Sequence, residues 1–366
     1  MRKATLALAC GEVFEGVSVG AESEATGEAV FNTSHTGYQE ILTDPSYAGQ
    51  LVCLTVSEVV NYGIHLEDGQ AGKPQAAGLI ARRICREPSN WRSEQSLPEW
   101  LKQHGVPAIE GIDTRRLVRV LRSAGSQQAV LDSSGASGKA LVERAKALPS
   151  MDGQDLASKA SCEKPYAWTA GTEGVKASPT THRITLVDFG VKRGILRQLV
   201  DAGCAVNVVP WRTSPEAILA DKPDGVVLSN GPGDPAAVEG ADKRAAALVG
   251  KVPVLGICLG HQILSLALGG KTYKLKFGHR GGNHPVRDLV DQTIDLTAQN
   301  HGFSTDEASL RGKAQVTHVN LYDGTVEGIA APEARMFAVQ YHPEAAPGPH
   351  DSRHLFRRFV RMMEGP

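Results

Sequence analysis

The sequence predicts an α/β protein in which a β-rich α+β domain precedes a C-terminal doubly wound, mostly parallel sheet. In the N-terminal half, short strand-like runs separated by Gly, Asn and Asp-Pro lie at 13–19, 28–34 and 50–56. From Arg183 onward, continuous apolar runs lie at 184–189, 205–209, 225–229 and 252–257. These runs alternate with helical patterns, which is typical of doubly wound sheets, whose ligands gather at the carboxyl ends of the strands.

The domain boundaries follow from a change in composition between the two halves. Helices are expected near 97–102 and 114–123 in the first half. The Gly-, Ser-, Ala- and Thr-rich stretch that follows has little apolar periodicity. We therefore expect a β-rich domain over 1–150, a linker over 151–182 and the α/β domain over 183–366.

Composition excludes several classes of protein. The chain has 366 residues, 41% hydrophobic and 22% charged, which is ordinary globular usage and excludes a disordered chain. A net charge of −1 gives no reason to expect nucleic acid or an anionic membrane as a partner. The apolar run at 4–9 is shorter than the roughly 7–15 residues of a signal peptide and is expected to be a first strand. Six cysteines without C-x-x-C spacing favour a reducing cytoplasm and give no metal motif.

Cys258 is the candidate nucleophile. It follows an apolar strand in V-P-V-L-G-I-C-L-G-H-Q and precedes a helix, with Gly256 and Gly260 two residues to either side. This is the nucleophile elbow with Cys in place of Ser, a sharp turn in which side chains at the flanking positions would collide. The elbow also places the sulfur at the positive end of a helix, which favours the thiolate. The other five cysteines are interpreted as structural.

His342 and Glu344 are the candidate base and its partner. They flank Pro343 directly after the apolar run M-F-A-V, and residues i and i+2 of an extended segment point the same way. The tripeptide alone is more typical of a surface turn than of a catalytic pair. Donors for a developing oxyanion are expected from the amide of Leu259 and from the N-G-P-G-D-P loop, where Gly231 and Gly233 allow close approach of the backbone.

With these residues assembled, the second half resembles a class I, triad-type glutamine amidotransferase domain with its flavodoxin-like sheet. The first half is similar to the small, glutamine-hydrolysing chains of carbamoyl-phosphate synthetase, in F-N-T-S-H-T-G-Y-Q-E-I-L-T-D-P-S-Y-A-G-Q and G-I-D-T-R-R-L-V-R-V-L-R. The block H-P-E-A-A-P-G-P-H-D-S adds to this likeness, which covers nearly the whole chain.

The resemblance implies a role for particular residues. Cys258 would form a glutamyl thioester, with His342 as base and Glu344 as its partner. The positions that would bind glutamine are Ser46, Gly231, Gly233, Leu259, Gln262, Asn300, Gly302 and Phe303. Ser46 is assigned by resemblance alone. Three departures from the family pattern leave the proposed triad unchanged: Val60 before N-Y-G, Arg280 in G-H-R-G-G-N-H-P, and Cys10-Gly11 in place of a more usual acidic-Gly turn.

The resemblance also implies partners. This chain would use no cofactor or metal of its own. A larger synthetase chain, in a heterodimer or higher assembly, would use ATP, magnesium and bicarbonate and receive the ammonia, with the β-rich domain as docking surface. The product would feed arginine and pyrimidine synthesis. Open alternatives are the amidotransferase part of another biosynthetic complex, a stand-alone cysteine hydrolase and a non-catalytic binding chain.

Overall fold

The computed structural model describes residues 2–365 and divides them into two compact units. The first unit comprises Met1–Met151 together with the short segments Lys276–Gly281 and Ala346–Gly348. The second comprises Asp152–Leu275, Gly282–Ala345 and Pro349–Pro366. The chain therefore returns twice to the first unit after leaving it, which a reading of the sequence as consecutive domains did not anticipate.

The first unit is built around a closed barrel. Its strands are β1 (Lys3–Leu8), β2 (Val13–Gly20), β3 (Ala25–Asn32), β4 (Gln50–Leu54), β5 (Glu58–Val59), β6 (Gly78–Ile80), β7 (Arg83–Ile84), β8 (Pro107–Glu110) and β9 (Gln127–Asp132). The barrel order is β1-β2-β8-β6-β4-β3-β9, closed by pairing of β9 with β1, while β5 and β7 pair separately. Closure leaves no barrel edge exposed to further pairing.

Four helices accompany the barrel: α1 (Tyr38–Thr43), α2 (Leu97–Gln103), α3 (Thr114–Ala124) and α4 (Gly138–Ala147). Ser96 and Glu99 form a reciprocal capping box that fixes the start of α2. Leu117 and Leu121 on α3 enter the apolar core that the barrel strands also fill. The strands and the two helices expected here from apolar patterning are present within a few residues of their predicted bounds.

The second unit contains a ten-stranded sheet. Its strands are β10 (Tyr166–Trp168), β11 (His182–Asp188), β12 (Cys204–Pro210), β13 (Gly225–Leu228), β14 (Val254–Ile257), β15 (Thr272–Asp288), β16 (Ile294–Thr305), β17 (Gln315–Asn320), β18 (Val326–Ala331) and β19 (Met336–Val339). The sheet order is β10-β12-β11-β13-β14-β19-β18-β17-β15-β16. Its helices are α5 (Ala157–Ala160), α6 (Arg193–Asp201), α7 (Pro215–Ala220), α8 (Ala241–Leu248), α9 (Leu259–Ala267) and α10 (His354–Glu364).

The centre of this sheet is parallel. Strands β12, β11, β13, β14 and β19 pair in parallel, and in order of appearance they stand second, first, third, fourth and fifth. That is the flavodoxin-like order of doubly wound folds. Antiparallel pairing of β10 with β12 and of β18 with β19 extends the sheet on both sides, so the complete sheet is mixed. The predicted α/β class is confirmed, with parallel pairing confined to the five central strands.

The stretch predicted as a linker, 151–182, carries secondary structure of its own. It contains α5 and β10, and all of it except Met151 belongs to the second unit. Ala157 is buried in the core, and the backbone N–H of Cys162 donates to Asp188 Oδ2 at 2.7 Å. Isolated contacts such as those of Ala157 and Cys162 produce no periodic apolar pattern. For this reason the composition of the stretch indicated a linker.

Among residues 2–365, no helix combines the length and the apolar character needed to span a bilayer.

Candidate active site

Cys258 occupies a strained turn between β14 and α9. Its backbone has φ 53° and ψ −103°, a conformation that non-glycine residues rarely adopt. Its amide donates to the Val339 carbonyl at 2.9 Å, which ties the turn to the neighbouring strand β19. Strain of this kind costs of order 1–3 kcal/mol and persists only where the surrounding structure enforces it. The sequence therefore folds into the elbow that its Gly-x-Cys-x-Gly spacing predicts.

The two glycines beside Cys258 are required by close backbone packing. A Cβ added to Gly260 would lie 2.2 Å from the Leu228 carbonyl oxygen, and one added to Gly256 would lie 2.8 Å from the backbone of Gly260. Either contact is shorter than van der Waals distance and involves backbone that cannot swing aside. The structure thus supports the physical reason given for this spacing.

His342 and Glu344 form a buried pair. Nδ1 of His342 lies 2.7 Å from Oε1 of Glu344, and both side chains are almost fully buried. The backbone N–H of His342 donates to the Ala298 carbonyl at 2.9 Å, which fixes the residue against β16. Because a carboxylate accepts, Nδ1 carries a proton, and Nε2 is the nitrogen available for proton transfer. Nε2 makes no hydrogen bond to residues 2–365 within ordinary limits of distance and angle.

The charges of this pair are set by their neighbours. Burial would lower the pKa of His342, but Glu344 and the sulfur of Cys258 outweigh burial and Lys192, so the pKa is raised. Burial would raise the pKa of Glu344, but Lys192 and His342 outweigh it, so that pKa is lowered. The imidazole is therefore held as an imidazolium beside a carboxylate, and Cys258 is close enough to His342 to act on its charge.

Lys192 was missed by the sequence reasoning. Its side chain is 2% exposed, and Nζ lies 2.9 Å from Glu344 Oε1 and 2.7 Å from the Ala345 carbonyl oxygen. A signal was present in the sequence, since Lys192 follows the end of β11 and so lies at the carboxyl edge of the sheet. A lysine in a loop after a strand is too common to be chosen without knowing what faces it.

The second unit brings several of the predicted glutamine-binding residues close to Cys258. Leu259 is the first residue of α9, so its amide lies at the positive end of that helix. The Sγ of Cys258 lies 3.7 Å from the Asn300 carbonyl oxygen. Nε2 of Gln262 donates to the Phe303 carbonyl at 2.9 Å, linking α9 to β16. Gly302 lies between Asn300 and Phe303 on β16.

Gly231 and Gly233 follow β13 in a closely packed loop. A Cβ on Gly231 would lie 2.3 Å from the Phe189 carbonyl oxygen and 2.8 Å from the side chain of Leu259. Gly233 has φ +90° and lies against the backbone of Gln154. Both positions therefore demand glycine. The contact with Leu259 places Gly231 next to the residue that follows the nucleophile, while the role of both glycines in binding stays a prediction.

Ser46 lies in the first unit, in the 3-10 turn Pro45–Tyr47, where its N–H donates to Asp44 Oδ1 at 2.8 Å. Its assignment to glutamine binding stays a prediction.

Two of the departures noted in the sequence, Val60 and Arg280, have different outcomes in the structure. Val60 is buried with φ 56°, so a β-branched residue occupies a backbone conformation that suits glycine. Arg280 is buried in the first unit, where its Nη1 donates to the Phe277 carbonyl at 2.6 Å.

Comparison with known proteins identifies the class of the second unit. Residues 185–362 match the family described as "Glutamine amidotransferase class-I". Together with the flavodoxin-like strand order and the cysteine elbow, this defines a class I glutamine amidotransferase domain.

The first unit and the full-length relatives identify the family. Residues 6–131 match "Carbamoyl-phosphate synthase small chain, CPSase domain". The chain is 50% identical over 368 residues to the carbamoyl phosphate synthase small chain of Syntrophotalea carbinolica, covering 99% of this chain and 98% of that one. It is 48% identical over 371 residues to the small chain of Aquifex aeolicus, covering 100% of both. This chain belongs to the carbamoyl-phosphate synthase small chain family, which confirms the resemblance inferred from the sequence.

Proposed function

We propose that this chain hydrolyses L-glutamine to glutamate and ammonia through a thioester on Cys258, as the glutaminase subunit of a carbamoyl-phosphate synthase. The observation that carries the proposal is the strained elbow of Cys258 beside the buried pair of His342 and Glu344. Family membership supplies the substrate class, since the matching domain is named for glutamine amidotransfer.

In the first half of the reaction, the thiolate of Cys258 attacks the side-chain amide carbon of glutamine. The oxygen that becomes negative is stabilised by backbone N–H donors, for which the Leu259 and Gly231 amides are the candidates. The imidazolium of His342 then gives its Nε2 proton to the departing nitrogen, and ammonia leaves as the C–N bond breaks. Glu344 stabilises the imidazolium and holds its orientation.

In the second half, water attacks the thioester carbon. His342, now neutral, accepts a proton from that water through Nε2, and the C–S bond breaks to release glutamate and restore the thiolate. Lys192 supports this cycle indirectly, because its ammonium helps to keep Glu344 ionised through both proton transfers.

The partner follows from family membership. Relatives are named small chains, which implies a larger chain in the complete enzyme. We propose that this larger chain uses ATP, magnesium and bicarbonate, receives the ammonia and makes carbamoyl phosphate for arginine and pyrimidine synthesis. We further propose a heterodimer, or a higher assembly of it, docked through the β-rich domain. A cytoplasmic location is supported by six cysteines that are all free thiols.

The test replaces the sulfur. In the complex with the larger chain, Cys258→Ser is expected to lower glutamine hydrolysis by at least about 10³-fold, because the serine hydroxyl is a far weaker nucleophile than a thiolate. Carbamoyl phosphate synthesis from added ammonia should continue. Cys204→Ser is the matched control, since Cys204 is also a buried free cysteine of the second unit. Glutamine hydrolysis that survives Cys258→Ser would show that the nucleophile lies elsewhere.

A further inference from the structure

A buried amide lies against the sulfur of Cys258 and has no part in the reaction described above. Gln340 directly follows β19 and stands two residues before His342. Its side chain is completely buried, and its Nε2 lies 3.7 Å from the Sγ of Cys258. That separation is within the range of an N–H···S hydrogen bond, so Gln340 contacts a reacting atom.

The orientation of this amide is fixed by a short chain of hydrogen bonds. Nε2 of Gln262 donates to the Phe303 carbonyl at 2.9 Å and to Gln340 Oε1 at 3.0 Å. A backbone carbonyl only accepts, so the end of Gln262 that faces Phe303 must be its NH₂ group. The second hydrogen of that group then meets the oxygen of Gln340. The NH₂ of Gln340 is left facing Cys258.

The backbone of Gln340 is held as firmly as its side chain. Its N–H donates to the Glu327 carbonyl at 2.9 Å, which joins the end of β19 to β18. Burial of an amide costs free energy unless its donors find acceptors. Here the acceptor for the donor end is the sulfur of Cys258.

The sulfur thus lies between a hydrogen-bond acceptor and a hydrogen-bond donor, each 3.7 Å away. The Asn300 carbonyl accepts from the protonated thiol, and the Gln340 amide donates to a sulfur that carries negative charge. A carbonyl oxygen repels a thiolate, whereas an N–H stabilises it. Of these two contacts, the one with the Gln340 amide is therefore the one that favours the thiolate.

Three histidines of the second unit also lie in this region, and each has a different part. His342, with the ion pair behind it, provides the positive charge. On α9, His261 is kept neutral because burial lowers its pKa to about 3, and its Nε2 lies 3.3 Å from Thr305 Oγ1. On β16, the ring nitrogens of His301 contact Phe303 O and Gln299 Oε1.

We propose that Gln340 is a catalytic residue that donates its side-chain N–H to the thiolate of Cys258. It acts on the attacking thiolate, and again when the C–S bond of the thioester breaks and the sulfur regains its negative charge. No covalent bond to Gln340 forms or breaks. The inference rests on the proposed function, since it assigns Gln340 a part in the chemistry of the same sulfur.

The test measures the reactivity of the sulfur without glutamine. In the full-length chain in complex with its larger partner, the rate of alkylation of Cys258 by iodoacetamide is followed by mass spectrometry of the Cys258 peptide. Gln340→Met keeps the length of the side chain and removes the donor. We expect alkylation at pH 7 to slow by about tenfold, because a hydrogen bond to a charged group contributes at least that factor.

Turnover of glutamine should follow the same pattern. We expect kcat at pH 7 to fall by about tenfold with KM changed less than threefold, since the lost bond is to the nucleophile. A second variant, Gln340→Glu, keeps an acceptor for Gln262 but places an oxygen beside the sulfur. It should slow alkylation more than Gln340→Met does, so one of the two variants remains informative if the other folds poorly.

The matched control is Gln299→Leu. Gln299 is a buried amide of the same unit whose Nε2 bonds Glu327 Oε2 at 3.0 Å and not the sulfur. It should lower the melting temperature while leaving Cys258 alkylation within twofold of wild type. Alkylation of both Gln340 variants at the wild-type rate would overturn the role of Gln340 and leave the proposed function standing. Glutamine hydrolysis that survives Cys258→Ser would overturn the thioester on Cys258, whereas a wild-type complex that hydrolyses no glutamine would overturn the proposed function itself.

Discussion

The sheets of the two units differ in whether they close on themselves. In the first, seven strands close on themselves, so each barrel strand has two neighbours. In the second, ten strands form an open sheet whose parallel centre ends at one edge in loops that carry Lys192, Cys258 and His342. The inward positions of a closed barrel are filled by packed side chains. The carboxyl ends of parallel strands, in contrast, bring residues from distant parts of the chain together.

The difference extends to what each unit tolerates. The second unit buries a lysine, a glutamate and a histidine in contact with one another, and both Cys258 and Ala345 have positive φ. Buried charges and strained backbone cost stability and persist where function requires them. In the second unit, buried charges and strained backbone therefore occur together at the strand ends that carry Cys258 and His342.

Removal of the buried ammonium should have the largest effect on stability. Lys192→Met leaves the carboxylate of Glu344 buried with only His342 as a partner, so we expect the free energy of unfolding to fall by about 3–5 kcal/mol. Urea denaturation measures it. The comparison in the first unit is Asp132→Asn, which retains a side-chain oxygen to accept from the backbone N–H groups of Gly135 and Ala136. It should lower the free energy of unfolding by about 1 kcal/mol. Equal losses in the two variants would remove the contrast.

The tight packing at the elbow should give the next largest effect. Gly260→Ala places a Cβ against the Leu228 carbonyl, and we expect a loss of about 2–3 kcal/mol together with loss of glutamine hydrolysis. The matched control is Gly250→Ala, which meets no atom within 4 Å and should cost only the roughly 1–2 kcal/mol of a positive φ. Retained activity in Gly260→Ala would show that the elbow can shift.

The raised pKa of His342 predicts how stability depends on pH. Histidine in the unfolded chain has a pKa of about 6.5, and the folded pKa of His342 is higher. Its protonated imidazole therefore contributes its full stabilisation below pH 6.5. That stabilisation is lost as the pH rises through the folded pKa. The difference in free energy of unfolding between wild type and His342→Gln should therefore be larger at pH 6 than at pH 9, by on the order of 1–2 kcal/mol. Denaturation at both values measures it, and a difference that grows with pH would contradict the ionic pairing with Glu344.

The smallest effect is expected at the strained residue of the first unit. Val60→Gly relieves a positive φ, worth about 1–3 kcal/mol, but exposes a cavity where a buried valine side chain contributed a similar amount. We expect stability within about 1 kcal/mol of wild type by urea denaturation. Val52→Gly in strand β4, where glycine relieves no positive φ, should cost about 3 kcal/mol. Similar losses at both positions would show that Val60 is not strained.

Sequence patterns predicted the features of this molecule that are formed by residues close together in the chain. The alternation of apolar runs with helices led to the parallel strands and to α6 and α9, and the two flanking glycines singled out Cys258 among six cysteines. The i, i+2 spacing across Pro343 led to the contact of His342 with Glu344. Each of these inferences uses residues within a few positions of one another, where geometry follows from the backbone.

The contacts that the sequence did not predict join distant segments. Lys192 reaches Glu344 across 152 positions, and Gln340 reaches Cys258 across 82. Neither residue stands in a pattern that separates it from ordinary loop lysines or buried glutamines. The strands β15 to β18 were also not anticipated, because their mixture of exposed and buried positions in antiparallel pairs gives no continuous apolar run.

The repeated return of the chain to the first unit has a practical consequence for dissecting the protein. A fragment ending at Met151 would lack both late segments, leaving the backbone N–H of Ser126 without the Lys276 carbonyl and that of Thr33 without the Arg280 carbonyl. Splitting the gene at one point cannot therefore yield two intact halves. Limited proteolysis should likewise release no stable N-terminal fragment unless the segments Lys276–Gly281 and Ala346–Gly348 stay bound to it.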